Sequence, residues 1–212
     1  MSDYVTLREP YAARRQQSDA DFLGMYVFLA TEAMLFGALM CLTFMYRAEH
    51  PQASALAARH MQLWIGAANT GILLTSSLFV ALGVQAAREG GRRMTAGMLG
   101  AAIALGVLFL ALKGAEYGLD YKDGLMPVVG HPSPVREGPA GLFIDLYFIA
   151  TALHALHMAI GLAVLGTTAA LVLRGAKQLP QQAVVVEMSG LYWHFVDVVW
   201  VFLFPLFYLA RG

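Results

Sequence analysis

Five stretches of this chain are long and apolar enough to cross a lipid bilayer, and that feature leaves few folds open to it. They run roughly from Phe22 to Tyr46, Met61 to Ala87, Met94 to Gly118, Gly141 to Leu173 and Ala183 to Ala210. A hydrocarbon core of about 30 Å takes about 20 helical residues, each rising about 1.5 Å. Lipid offers no partner to a backbone N–H or C=O, so only helices and closed barrels span it, and these runs lack the period-two alternation of barrel strands. The reading is therefore all-α: a polytopic membrane protein, a five-transmembrane-helix bundle, with residues 1–212 forming a single integral membrane domain. Composition agrees, since 13% of residues are charged where a soluble domain carries about 25%.

The first span is expected to be retained rather than cleaved. Its apolar core is longer than a signal-peptide core, and no small-x-small site precedes the next polar loop. Arg8, Arg14, Arg15, Arg88, Arg92, Arg93, Arg174 and Lys177 fall on one side of the membrane, and Arg47, Arg59, Lys122, Arg136 and Arg211 on the other. Eight against five places the N-terminus in the cytoplasm and the C-terminus outside. Cys41, the only cysteine, excludes an internal disulfide, and a net charge of zero gives no reason to expect nucleic acid. The longest loop, Asp120 to Ala140, carries GHPSPVREGP, whose Gly and Pro content reads as an external cap rather than a helix. Gly97, Gly100, Ala101, Ala104 and Gly114 read either as close-packing positions between helices or as general richness in small residues.

Ionisable groups inside these spans are costly and are expected to face protein. Glu32 lies ten residues after Phe22, about 15 Å along a helix, with no cation at helical spacing on its own span. It reads as a structural hydrogen-bond partner of another helix, with proton carrying as the alternative. Thr151, His154, His157 and Gly161 share one face of the fourth span; Glu187, His194 and Asp197 share one face of the fifth. The depths match, so Glu32, His154 and His194 are expected to meet in one polar layer. A bis-histidine heme site would want a second histidine level, but His50, His60 and His131 fall in loops, and a di-iron site would want two Glu-x-x-His motifs, which are absent. No metal or heme is expected on this chain. Lys113 and Glu116, with Tyr117 beside them, read as a snorkelling, self-neutralised helix end. Trp64 and Tyr208 suit an interfacial aromatic belt, and Trp193 and Trp200 a contact with a partner.

The string YWHFVDVVW, from Tyr192 to Trp200, closely resembles the final transmembrane helix of subunit III of the heme-copper oxidases, the cytochrome c oxidase and quinol oxidase family. GMYVFLATEAMLFGALM, from Gly24 to Met40, resembles the family helix that carries a buried carboxylate, with Glu32 on it. ANTGILLTSS around Asn69, ALGVLFLALKGAEY ending at Tyr117 and FIATALHALHMAIG from Phe148 to Gly161 are similar in order and spacing. Where the family commonly has Thr-Gly before the first histidine of that last segment, Ala152 and Leu153 stand here. Many family members carry two further N-terminal helices that wall a lipid-holding cleft; this chain is similar to the five-helix form.

The resemblance implies a non-catalytic subunit III of a bacterial terminal oxidase that reduces O2 to water with proton translocation. Heme and copper are then held by partner subunits and none by this chain. The implied partners are catalytic subunit I, subunit II and membrane phospholipids, in the bacterial inner membrane. It further implies a structural, proton-related role for the buried Glu32, His154, His157, His194 and Asp197, and a phospholipid head-group contact for Arg174. The alternatives are an accessory subunit of a nitric oxide reductase and a stand-alone His-ligated heme b protein.

Overall fold

The computed structural model describes residues 14–126, 136, 138–175, 179–180 and 182–209. Arg8, His131, Lys177, Ala210, Arg211 and most of GHPSPVREGP lie outside the described residues. The described chain is helical: α1 (Arg14–Glu49), α2 (Pro51–His60), α3 (Leu63–Arg88), α4 (Arg92–Lys122), α5 (Pro139–Leu173) and α6 (Val184–Tyr208). Five of these helices, all but α2, are long and apolar enough to cross a membrane.

The helices outrun the apolar windows where polar residues continue the turn. α4 extends past Gly118 to Lys122, so Asp120 lies on a helix rather than in a loop. α2 stands in what the sequence reads as a connection. Proline at its first position costs no hydrogen bond, because that N–H has no intrahelical acceptor, and QASALAAR consists largely of good helix formers. Its Ser54, Ala57 and Ala58 are buried, chiefly against α5.

α3, α4, α5 and α6 close into a ring in which α3 and α5 each pack on both α4 and α6, while α1 leans on the α5–α6 seam. The buried face of α4 runs Leu99, Ala102, Gly106, Phe109, Lys113, Glu116 and Asp120, in steps of three and four. Close approach occurs at glycines other than those singled out from the sequence. A Cβ on Gly106 would lie 2.6 Å from Trp193 Cη2, and one on Gly161 3.0 Å from Trp193 Cε3, so only glycine on α4 and α5 leaves room for that indole. Gly97, Gly100 and Gly114 face open space. Trp193 and Trp200 are fully buried inside this chain, not against a partner. Trp193 Nε1 donates to Ser76 Oγ at 3.0 Å and Trp200 Nε1 to Thr70 Oγ1 at 3.1 Å, pinning α6 to α3. Trp64 is exposed, as an interfacial residue would be, whereas Tyr208 is buried.

Candidate functional site: three buried polar clusters

The polar residues of the spans form three separate clusters instead of one layer. In the first, Glu32 of α1 meets His157 of α5, with Oε2 and Nε2 2.9 Å apart. His157 Nδ1 lies 2.8 Å from the Leu153 carbonyl, which only accepts, so Nδ1 carries a hydrogen. One further proton is then shared between Nε2 and the carboxyl, and the pair is net neutral whichever group holds it. This is the device that lets a lone carboxylate sit within an apolar helix. Phe36 packs edge-on to the same imidazole, its centroid 5.1 Å away. Glu32 therefore pairs with His157, not with His154 or His194.

The second cluster is the one that sequence reasoning misread. Lys113 and Glu116 do not snorkel; their side chains are 2% and 0% exposed and form a 3.0 Å ion pair inside the ring. Lys113 Nζ also donates to the hydroxyls of Tyr147 and Tyr208, each at 2.7 Å, so all three ammonium hydrogens are used. Tyr208 donates to Glu116 Oε1 at 2.7 Å and Tyr147 to the same oxygen at 3.1 Å. Four side chains from α4, α5 and α6 thus satisfy one another completely. Next to them Tyr117 bonds Thr151 at 2.6 Å, and Asp120, a turn further along α4, is buried with Oδ2 unpartnered. The heptad spacing that carries Lys113, Glu116 and Asp120 on the same face as Leu99 and Phe109 was the available signal; terminal position suggested solvent, but the buried face continues through it.

The third cluster joins α3 to α6. His194 Nδ1 is hydrogen-bonded to Ser77 Oγ, and the same hydroxyl lies within hydrogen-bonding reach of the buried Asp197 carboxyl. Ser77 escaped notice because a serine in an apolar span carries no charge to flag it. Glu187, on the same α6 face by spacing, instead pairs with Arg88 at 2.8 Å. His154 stands apart from all three clusters. It is fully buried, with Phe109 and Trp200 centroids at 5.6 and 5.2 Å, and neither ring nitrogen finds a hydrogen bond. Among the described residues, no three His, Cys, Asp or Glu side chains gather as a metal-ligand group.

One long open groove, of about 930 Å³, runs between α1 and the α5–α6 pair. Its walls are mostly apolar, from Met25 and Phe28 on α1, Ile160 and Val164 on α5, and Met188 and Tyr192 on α6. Arg174, exposed at the end of α5, lies three residues beyond Leu171 at the groove's end.

These features define a class: a multi-pass helical membrane protein whose internal ionisable residues are largely spent on holding helices together. The sequence profile described as cytochrome c oxidase subunit III matches residues 19–211, and the chain belongs to that family. It is 28% identical over 194 residues to cytochrome c oxidase subunit 3 of Thermostichus vulcanus, covering 92% of this chain and 89% of the relative. To the protein of the same name from Corynebacterium diphtheriae it is 31% identical over 191 residues, covering 89% and 87%. It is also similar, at 30% over 203 residues, to heme-copper oxidase subunit I+III of Aeropyrum pernix, matching 88% of this chain and 22% of that longer one.

Proposed function

We propose that this chain is a non-catalytic subunit III of a bacterial heme-copper terminal oxidase, one that stabilises the oxygen-reducing subunit I and supports its proton uptake. The family match over residues 19–211 carries the reading. The geometry supports it: the Glu32–His157 pair and the Lys113–Glu116–Tyr147–Tyr208 tetrad close on themselves rather than converging on a substrate-sized cavity. On this reading heme and copper belong to partner subunits. Subunits I and II and phospholipids are the partners, and the complex sits in the inner membrane with the N-terminus of this chain cytoplasmic. Glu32, His154, His157, His194 and Asp197 act as structural residues, with the proton shared by Glu32 and His157 available to a proton-related role. On this reading the groove between α1, α5 and α6 takes acyl chains and Arg174, three residues beyond Leu171, takes a lipid phosphate.

The test is removal of the chain from the complex. Oxygen consumption should begin near its normal rate in the heme-replete remainder and then decay over repeated turnovers. Complete and immediate loss would show a direct catalytic role. An optical spectrum of the purified chain separates the heme b alternative, since a Soret band lost on His154→Ala or His194→Ala would overturn the accessory reading. Co-purified subunits separate an oxidase from a nitric oxide reductase.

A further inference from the structure

Two oxidisable rings of α6, Trp200 and Tyr208, lie buried in the bundle with their centroids 6.4 Å apart. At that separation an electron passes from one ring to the other without an intervening carrier. Their hydrogens go to unlike acceptors. Trp200 Nε1–H donates to the Thr70 hydroxyl, which gives its own hydrogen to the Gly66 carbonyl and is a weak base. Tyr208 O–H donates at 2.7 Å to Glu116 Oε1, a carboxylate oxygen, in a charge-assisted bond.

The difference matters once an electron is removed. A ring that loses one becomes a cation, and an isolated charge in a dry interior is costly. Trp200 has no carboxylate to receive its proton, and Lys113 Nζ, 5.3 Å from its ring centroid, opposes a second positive charge there. An oxidised phenol is a strong acid, and Tyr208 already points its hydrogen at Glu116. Oxidation of Tyr208 therefore ends in a neutral radical, whereas oxidation of Trp200 leaves a buried cation.

We propose that Tyr208 is a redox-active tyrosine that takes over an oxidising equivalent from Trp200, with Glu116 as its proton acceptor. A one-electron oxidant of the oxygen-radical class removes an electron from the Trp200 indole and is itself reduced to its anion. The Tyr208 O–H bond then breaks. Its electron restores the neutral indole, and its proton forms an O–H bond on Glu116 Oε1. The products are a phenoxyl radical and a carboxylic acid, both neutral, and the remaining positive charge is that of Lys113. The rings of Tyr117, Tyr147, Trp200 and Tyr208 surround this ammonium at 4.6–5.3 Å and hold it once Glu116 is neutral. Lys113 Nζ, 2.7 Å from the Tyr208 oxygen, stays as a donor to the radical. The proposal uses only groups of this chain and does not rest on the oxidase reading.

The experiment uses the full chain in detergent with a ring-fluorinated tyrosine incorporated at position 208. A light flash on ruthenium tris-bipyridine with persulfate supplies the one-electron oxidant, and samples frozen at intervals are read by electron paramagnetic resonance. A tyrosyl signal split by fluorine is expected, outlasting the unsplit signal of the exposed Tyr26 and Tyr121. No split component at oxidant levels that oxidise those two residues overturns the proposal. Glu116→Gln removes a bond to a charged acceptor worth about 1.5 kcal/mol or more and is expected to slow formation of the split signal roughly tenfold, leaving an indolyl signal in its place. Formation at the parent rate overturns the role of Glu116. The fluorinated chain keeps the phenol, Glu116 and Lys113, so the first result does not depend on the Glu116 variant folding.

Discussion

Replacing Lys113 by methionine isolates the ion pair at the centre of the bundle. Methionine keeps an unbranched apolar stem of similar length and removes only the ammonium. Three hydrogen bonds disappear, to Glu116 Oε2 and to the hydroxyls of Tyr147 and Tyr208. Glu116 Oε1 keeps its two tyrosine donors, whereas Oε2 is left buried and alone. Hydrogen bonds to charged groups are each worth about 1.5–3 kcal/mol, but a simple sum overshoots because the tyrosines still satisfy Glu116 and each other. Removing one partner of a buried pair costs about 3–5 kcal/mol. The surviving tyrosine bonds to Glu116 put Lys113→Met at the lower end, about 3 kcal/mol. The double variant Lys113→Met/Glu116→Gln removes both charges at nearly constant volume and should recover most of that loss, giving a coupling of about 2–3 kcal/mol. Reversible unfolding in mixed micelles by graded SDS, followed by circular dichroism, measures all four corners of the cycle. A single-variant loss under about 1 kcal/mol with a coupling under about 0.5 kcal/mol is what an exposed pair gives, and it would refute a buried tetrad.

Three further outcomes follow from the same geometry. Glu32→Gln, which can still bond His157 Nε2, should assemble almost normally, whereas Glu32→Ala leaves that nitrogen alone and should cost about 1–3 kcal/mol; equal behaviour in unfolding and assembly assays would contradict the pairing. Gly106→Ala forces a methyl against Trp193 and should destabilise by about 1–3 kcal/mol, while Gly97→Ala, which meets nothing, should be neutral or slightly stabilising; a penalty of similar size at Gly97 would remove the Trp193 explanation. His154→Phe gives up no hydrogen bond and keeps the ring contacts with Phe109 and Trp200, so thermal stability in detergent should stay within about 1 kcal/mol of the parent; a loss above about 2 kcal/mol would contradict an imidazole held by ring packing alone.

The sequence by itself determined the five spans, because the cost of an unpaired backbone in lipid forces any run of such length and apolarity into a helix. It also marked Glu32, His157 and His194 as residues that need partners, and the family through YWHFVDVVW, since in a membrane every ionisable group stands out against its surroundings. Only the tertiary structure decided who pairs with whom. Depth along a helix is readable from sequence, but rotation about the helix axis and the choice of neighbour are set by packing. His194 reached Ser77 because the Trp193 slot at Gly106 and Gly161 and the Trp200 bond to Thr70 fix how α6 sits among α3, α4 and α5, and Glu32 reached His157 because α1 packs on the α5–α6 seam. The same cause turned Lys113 and Glu116 inward: the face of α4 that buries Phe109 continues to its last turn, and the hydroxyls of Tyr147 and Tyr208, 34 and 95 residues further along the chain, meet the charge there.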